Sequence, residues 1–481
     1  MPLPHPASSS RPADTALLAA LREQLGEAGV LTGRDTDGYV EDWRGLYRGR
    51  TMAVVRPADT DAVAAAVRLC VQHRVAIVPQ GGNTSMVGGA SPHADGSEIV
   101  LSLSRLNRVR GVDPVDMTLS VEAGVTLQAA QAAAREAGCL LPLSISSEGS
   151  AQIGGVLATN AGGNNTVRYG NARELVLGVE AVLPDGQVFN GMRRLRKDNT
   201  GYAVRHLLVG SEGTLGIITA AVLQLAPQPR SVEVALCGVA SPEAALALFS
   251  EFRRRDPSAI QAFEFMSGTG MALVTSLIDG ATLPLAETAP HYVLVELASG
   301  RETAGLRELI EEVIGQALED GSVADAVVAE SGAQRAAIWR LREEHSEAQK
   351  RAGASVKNDV SVPVSKVPEL IARATAACEA LVPGVRIAPF GHLGDGNIHF
   401  NLIQPADMTR EAFLARDHEI MDTVCAVVRT LDGSFSAEHG VGMLKPYMMP
   451  DWRGGAELDA MRRIKQAFDP LDLFNPGKLL P

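Results

Sequence analysis

"SEGSAQIGGVLATNAGGNN", residues 147–165, packs five glycines and a run of Ser, Thr and Asn into nineteen positions. Glycine lets backbone N–H groups approach a ligand closely, and several such groups together make a nest for a pyrophosphate. A plain set of turns is the competing reading. Two further stretches share the character, "PQGGNTSMVGG" at 79–89 and "VGSEGTLGIIT" at 209–219. Three of them within about 230 residues favour a bound ligand over turns alone. No G-x-G-x-x-G follows a strand and no G-x-x-x-x-G-K-[ST] is present, which excludes a dinucleotide turn and a P-loop of the usual kinds.

Outward from these loops the pattern is mixed. "ADTALLAALREQLGE" (13–27), "DTDAVAAAVRLCVQHRV" (59–75) and "TLQAAQAAAREAG" (126–138) carry helical periodicity, with Asp59 or Thr60 and Thr126 as N-terminal caps. "TMAVVRP", "AIVPQ", "EIVLSLS" and "MTLSVEAG" read as short strands, "VLGVEAVLPDGQVFNG" (176–191) as a hairpin turning at Asp185-Gly186, and 213–227 as a long apolar strand. A boundary fits "APQPRS" (226–231). Beyond it "VEVALCGV", "PEAALALFSEFRRR", "HYVLVELAS" and "TAGLRELIEEVIGQALED" alternate strand and helix, which predicts helices on an antiparallel sheet.

With 481 residues, two or three domains are expected. The 46% hydrophobic share supports sizeable cores, and the net charge of -12 argues against a broad nucleic-acid surface. Five scattered cysteines with no CxxC fit a reducing compartment. The polar, proline-rich "MPLPHPASSSRPAD" has no apolar core of a signal peptide, and no stretch nears 18 apolar residues, so a cytoplasmic protein without a membrane span is expected.

"FGHLGDGNIHFN" (390–401) sets His392 and His399 around an Asp-Gly-Asn turn. On one straight strand an odd offset of seven points them to opposite faces. A turn at Gly394-Asp395-Gly396 lets both converge on one ion, with Asp395 capping the turn. "SFSAEHGVG" (434–442) offers Glu438 beside His439 as a third ligand, and two His with one carboxylate leave a divalent ion open to substrate. The segment 335–366 is a basic island, seven Lys or Arg against four Asp or Glu. Much of it reads as a solvated helix face, yet Arg342, Ser346 and Gln349 share one face that could meet a carboxylate, with Lys357 following on the strand "SVKNDVSVPV".

The ordered set "PQGGNTSMVGG", "GSAQIGG.LATNAGG..VRYG", "LRKDNTGY" and "GSEGTLGIIT" resembles the FAD-binding domain of the vanillyl-alcohol oxidase and p-cresol methylhydroxylase flavoproteins. "GHLGDGNIHFN", "SAEHGVG" and "AFEFM" are similar to its D-2-hydroxyacid dehydrogenase branch, over residues from about 46 to the closing "FNPGKLLP".

The resemblance implies an α+β chain: a two-subdomain FAD-binding domain over 1–227 with an N-terminal helical segment, an α+β substrate or cap domain with an antiparallel sheet over 228–440, and a segment 441–481 packing back near the FAD domain. It implies FAD along Pro79, Gly81, Gly82, Asn83, Thr84, Ser85, Gly88 and Gly89, then Pro142, Gly149, Ser150, Gly154, Gly155, Thr159 and Asn160. Gly213, Gly216 and Ile218 fall near the adenine side, and Asn475 joins the set. Some relatives attach flavin through a His or Cys in the first loop; "PQGGNTSM" has neither, so the FAD is expected to be non-covalent.

It further implies zinc or another divalent ion on His392, His399 and Glu438, with His439 as base. Arg342, Ser346 (where the pattern has threonine), Lys357 and Asn401 would bind the acid. The expected reaction is hydride transfer from a D-2-hydroxy acid to FAD, D-2-hydroxyglutarate to 2-oxoglutarate first. Electrons then pass to an electron-transfer flavoprotein, a quinone or a similar carrier, and a homodimer is usual among relatives. The competing readings are D-lactate, D-malate or glycolate on the same scaffold, and a non-redox metal-dependent hydrolase or metal-binding protein.

Overall fold

The computed structural model describes residues 14–481; the proline-rich start, residues 1–13, lies outside the described residues. The chain forms two compact units, one holding the described residues up to Ala161 with Asn171–Pro227 and Glu438–Pro481, the other holding Gly162–Gly170 and Gln228–Ala437.

The first unit contains two main sheets. Strands Ala53–Val55, Glu98–Ser102 and Ala76–Gln80 run parallel, with Val30–Leu31 antiparallel on one edge. Helix Thr60–His73 packs beside them, capped by Asp59, whose Oδ1 accepts from the Ala62 amide at 2.8 Å. Its apolar stripe, Val63, Ala66, Val67 and Cys70, is fully buried because those spacings fall on one helical face. The second sheet is antiparallel, in the order Val109–Asp113, Thr118–Glu122, Ile217–Gln224, Val176–Val182, Val188–Gly191. Ile217–Gln224, the expected long apolar strand, lies at its centre and is buried on both faces. The expected hairpin at 176–191 is present, turning through Asp185-Gly186.

The second unit is built on a seven-stranded antiparallel sheet, in the order Val323–Val328, Ser231–Val239, His291–Ser299, Ile260–Ser267, Phe390–His392, Asn397–His399, Asp359–Ser361. Side chains alternate between its faces. One face, with Val234, Leu236, Met266, Leu294 and Phe390, packs against helices Gly268–Leu277, Gly332–Glu343 and His345–Ala352. On the other, Phe263 meets Phe249 of helix Pro242–Arg255 with ring centroids 5.0 Å apart.

Two elements differ from expectation. "SVKNDVSVPV" is not one strand: Ser355–Val356 joins a small three-stranded sheet and Asp359–Ser361 the large one, because Asn358 bonds the Phe400 carbonyl through Nδ2 and interrupts the run. The basic island is two helices broken at Glu344. There the His345 ring Nδ1 lies 2.8 Å from the Leu341 carbonyl, the acceptor its own amide takes in a continuous helix.

Candidate active site

In the first unit the three glycine-rich stretches come together. Gly210 and Glu212 amides donate to the Leu157 and Ala158 carbonyls at 3.0 and 2.8 Å, tying 209–219 to 147–161. Gly82 lies so close to the Ser150 carbonyl that a Cβ there would collide with it, which ties 79–89 to the same stretch. Gly81 sits beside Gly155, and Gly213 beside the ring of Pro79.

Residues Gly81–Met86, with Thr84 among them, are half-buried, whereas Val87 and Gly88 are buried. Ser85 Oγ accepts from the Gly89 amide at 3.1 Å. Gly149 and Ser150 are exposed, Pro142, Gly154 and Gly216 are buried, and Ile218 is a strand residue paired with Ala181. Thr159 Oγ1 donates to the Gly155 carbonyl, while Asn160 Oδ1 accepts from the Arg173 amide. Two buried side-chain oxygens in these loops, Asn83 Oδ1 and Gln152 Oε1, have no protein partner, and such atoms suit a ligand rich in hydroxyl and N–H groups.

The 438–481 segment closes on the same loops. Asn475 donates to the Gly89 and Glu212 carbonyls at 2.9 and 2.8 Å, and Phe474 bridges to Ile77. Glu212, buried, accepts from the Val441 and Gly442 amides, both at 2.8 Å. Burial pushes its carboxyl above the ordinary range, against the pull of those amides and of Lys445 and Lys478. Lys478 is itself buried and pushed down to about 8, its ammonium donating to the Ser91 carbonyl and Asn475 Oδ1 at 2.7 Å. Glu212 and Lys478 escaped the sequence reading because the backbone groups they bind, at Val441, Gly442 and Ser91, lie hundreds of residues away.

In the second unit the His392–His399 turn is a hairpin. Phe390–His392 pairs with Asn397–His399, Asp395 Oδ1 accepts the Asn397 amide at 3.0 Å, and Gly396 takes φ +86°, where a Cβ would run into the Val362 carbonyl. The two imidazoles are thereby brought to 5.6 Å between centroids at 77°. Each has a carboxylate at Nδ1: Glu264 Oε1 lies 2.8 Å from His392, and Asp359 Oδ1 lies 3.5 Å from His399. By accepting at 2.8 Å, Glu264 keeps the His392 proton on Nδ1 and frees Nε2, the arrangement common behind metal-bound histidines. The donor set therefore suits a divalent ion.

Asp359 and Glu264 were not singled out from sequence. Asp359 sits opposite His399 in the ladder, and its backbone carbonyl accepts from the Ala437 amide at 3.2 Å. Glu438 and His439 follow Ala437 directly in the chain, where the division between the units falls.

Arg342 is buried, its Nε donating to Glu264 Oε2 at 2.7 Å and its guanidinium lying 4.8 Å over the Phe390 ring. Burial would raise the Glu264 carboxyl, but His392, Arg342 and their hydrogen bonds outweigh it and hold the group below the ordinary range. Asn401 donates to Gln349 Oε1 at 2.9 Å, and Gln349 in turn to the Ala388 carbonyl. Ser346 is half-buried in the first turn of its helix, and Lys357 is half-buried between the two short strands. A separate cavity of about 400 Å³ beside Ser267, Thr269, His291 and Arg386 includes none of the predicted residues.

Comparison with known proteins bears on both units. Residues 228–479 match the family model "FAD linked oxidases, C-terminal domain", and residues 51–191 match "FAD binding domain". A D-2-hydroxyglutarate dehydrogenase of Xanthomonas citri is 39% identical, covering 92% of each chain. The mitochondrial D-2-hydroxyglutarate dehydrogenase of Bos taurus is 38% identical over 92% of this chain and 79% of its own. A crystal structure of p-cresol methylhydroxylase with substrate bound superposes with a TM-score of 0.78 at 16% identity, covering 97% of this chain and 96% of that one.

Proposed function

The chain belongs to the FAD-linked oxidases, as an FAD-dependent D-2-hydroxyacid dehydrogenase with the vanillyl-alcohol oxidase and p-cresol methylhydroxylase fold, and from that premise we propose that it oxidises D-2-hydroxyglutarate to 2-oxoglutarate with the help of a divalent ion, zinc first. The observation that carries the metal and substrate reading is the hairpin that sets His392 and His399 together, each backed by a carboxylate, next to the buried Arg342.

In this reading residues 1–227 hold FAD, residues 228–440 hold the acid and the ion, and 441–481 completes the first part. His392 and His399 offer Nε2 to the ion. Glu438 is the third ligand: it directly follows Ala437, whose amide donates to the Asp359 carbonyl, and consecutive Cα atoms lie about 3.8 Å apart. Arg342, its Nε committed to Glu264, keeps two Nη groups for a carboxylate, where an Arg fork binds best. Lys357, Ser346 and Asn401 line the rest of the acid. His439 takes the proton of the C2 hydroxyl as general base.

The ion, when bound, supplies Lewis acidity that lowers the pKa of that hydroxyl. FAD, held non-covalently along the glycine-rich loops, supplies the two-electron acceptor for the hydride leaving C2. The reduced enzyme then hands its electrons to an electron-transfer flavoprotein or a quinone. Five buried cysteines, none in a disulfide, support a cytoplasmic setting, and no helix among the described residues is long and apolar enough to cross a membrane. The assembly proposed is a homodimer. The non-redox metal hydrolase weighed from the sequence falls with the family membership.

Steady-state turnover of flavin-loaded, zinc-quantified protein with an artificial dye tests the substrate. A second carboxylate held by charged hydrogen bonds of about 1.5–3 kcal/mol should raise kcat/KM for D-2-hydroxyglutarate roughly 10- to 100-fold over D-lactate and glycolate. Equal rates on the monocarboxylates would overturn the dicarboxylate assignment in favour of D-lactate or glycolate.

A further inference from the structure

We propose that Glu264 is a positioning residue for this reaction, one buried carboxylate that holds the ion-binding ring of His392 and the acid-binding guanidinium of Arg342 at the same time. The inference rests on the reading above and extends it to a residue outside the ligand and substrate sets.

Strand Ile260–Ser267 is buried along its whole length, and "AFEFM" places a carboxylate between two phenylalanines where an apolar side chain would serve packing better. Glu264 is 0% exposed. A buried charge is costly unless paired and hydrogen-bonded, and here both oxygens are used separately. Oε1 faces His392 Nδ1 at 2.8 Å and Oε2 faces Arg342 Nε at 2.7 Å, so the two donors do not compete. The ladder explains the first contact, because Glu264 and His392 are paired residues of neighbouring strands whose side chains share a face. The second comes from helix Gly332–Glu343, packed on that same face.

The chemistry follows from acceptor counting. An ionised carboxylate only accepts, so His392 must present Nδ1–H to it and keep the Nε2 lone pair outward. The same carboxylate takes Arg342 through Nε and fixes the plane of its fork. An amide of the same shape cannot do both, since it carries one acceptor oxygen and one NH2 donor. In Glu264→Gln the oxygen goes to Arg342, which can only donate, and the NH2 group meets His392, driving its ring to the Nε2–H tautomer that cannot bind an ion.

The test begins with metal-free, FAD-loaded protein carrying ¹⁵N-histidine, the His392 signal being assigned by its loss in His392→Gln. Wild type should show Nδ1–H and E264Q should show Nε2–H. Zinc affinity, read by competition with a chromophoric chelator, should fall roughly 10- to 100-fold in E264Q, the usual cost of losing such a partner. KM for D-2-hydroxyglutarate should rise alongside. Glu264→Asp, which keeps two acceptors, should restore the Nδ1–H tautomer, and this second variant separates positioning from a folding defect. An unchanged tautomer with unchanged zinc affinity in E264Q overturns the proposal. Wild type that shows the expected tautomer but takes up no zinc overturns the ion assignment instead and leaves the Glu264 contacts standing.

Discussion

His345 shows how far burial can move a single group. Its imidazole is completely enclosed, 5.0 Å from the Phe390 ring and tight against Gly270. Burial first, and the charge of Arg342 second, push its pKa down to about 3 from the ordinary 6.5. Below 6.5 the unfolded chain takes up a proton that the folded one refuses, so stability is full above that pH and falls as the pH drops toward about 3. His345→Asn, which can still donate to Leu341, should flatten this slope even though losing the ring lowers stability overall. Urea midpoints followed from pH 7 to pH 4 would check it: an equally steep decline in the variant would show that other groups set the acid limit. His345 also touches Phe390, the ring that meets Arg342 and lies tilted 4.9 Å from His399, so its neutrality keeps another positive charge away from the proposed ion.

Legibility changes with the range of the interaction, as the elements show. The helix at Thr60–His73 and the hairpin of His392 and His399 were readable because caps, periodicity and a Gly-Asp-Gly turn act over a few residues. The break at Glu344 was not, since a ring capturing the Leu341 carbonyl leaves no mark on the hydrophobic pattern. Glu264 was quoted within "AFEFM" yet its role was hidden, because Arg342 is 78 and His392 is 128 positions away. The glycine-rich loops were recognised as a ligand cradle by composition, but only their packing shows which glycine tolerates no side chain. Gly82→Ala pushes a methyl into the Ser150 carbonyl, backbone that cannot simply step aside. With overpacking worth about 1–3 kcal/mol, FAD retention should drop roughly tenfold, read as visible flavin absorbance per protein after gel filtration. Full flavin content in that variant would place the cofactor elsewhere.

At the scale of the whole molecule, the proposed flavin loops and the two proposed histidine ligands belong to different compact units. Each is held by its own contacts: the flavin loops by hydrogen bonds of Asn475 and Glu212, His392 by its hydrogen bond with Glu264, and His399 by the Asp359 carboxylate 3.5 Å away. Removing the ion with a chelator should therefore abolish dehydrogenase turnover while the flavin spectrum persists, and added zinc should restore the rate. Loss of flavin in step with the metal would contradict this separation.

The route of the chain through these units bears on how the protein is made. Residues 228–437 leave the ribosome as a nearly unbroken run and can pack their sheet as they emerge, whereas the unit begun earlier waits for Glu438–Pro481. Until Val441 and Gly442 reach Glu212, and Asn475 reaches Gly89, that carboxylate and those carbonyls lack their partners. Cofactor loading is thus expected to wait for residues 438–481, and a nascent chain stalled before residue 438 would carry a packed seven-stranded sheet but an unfinished set of glycine-rich loops.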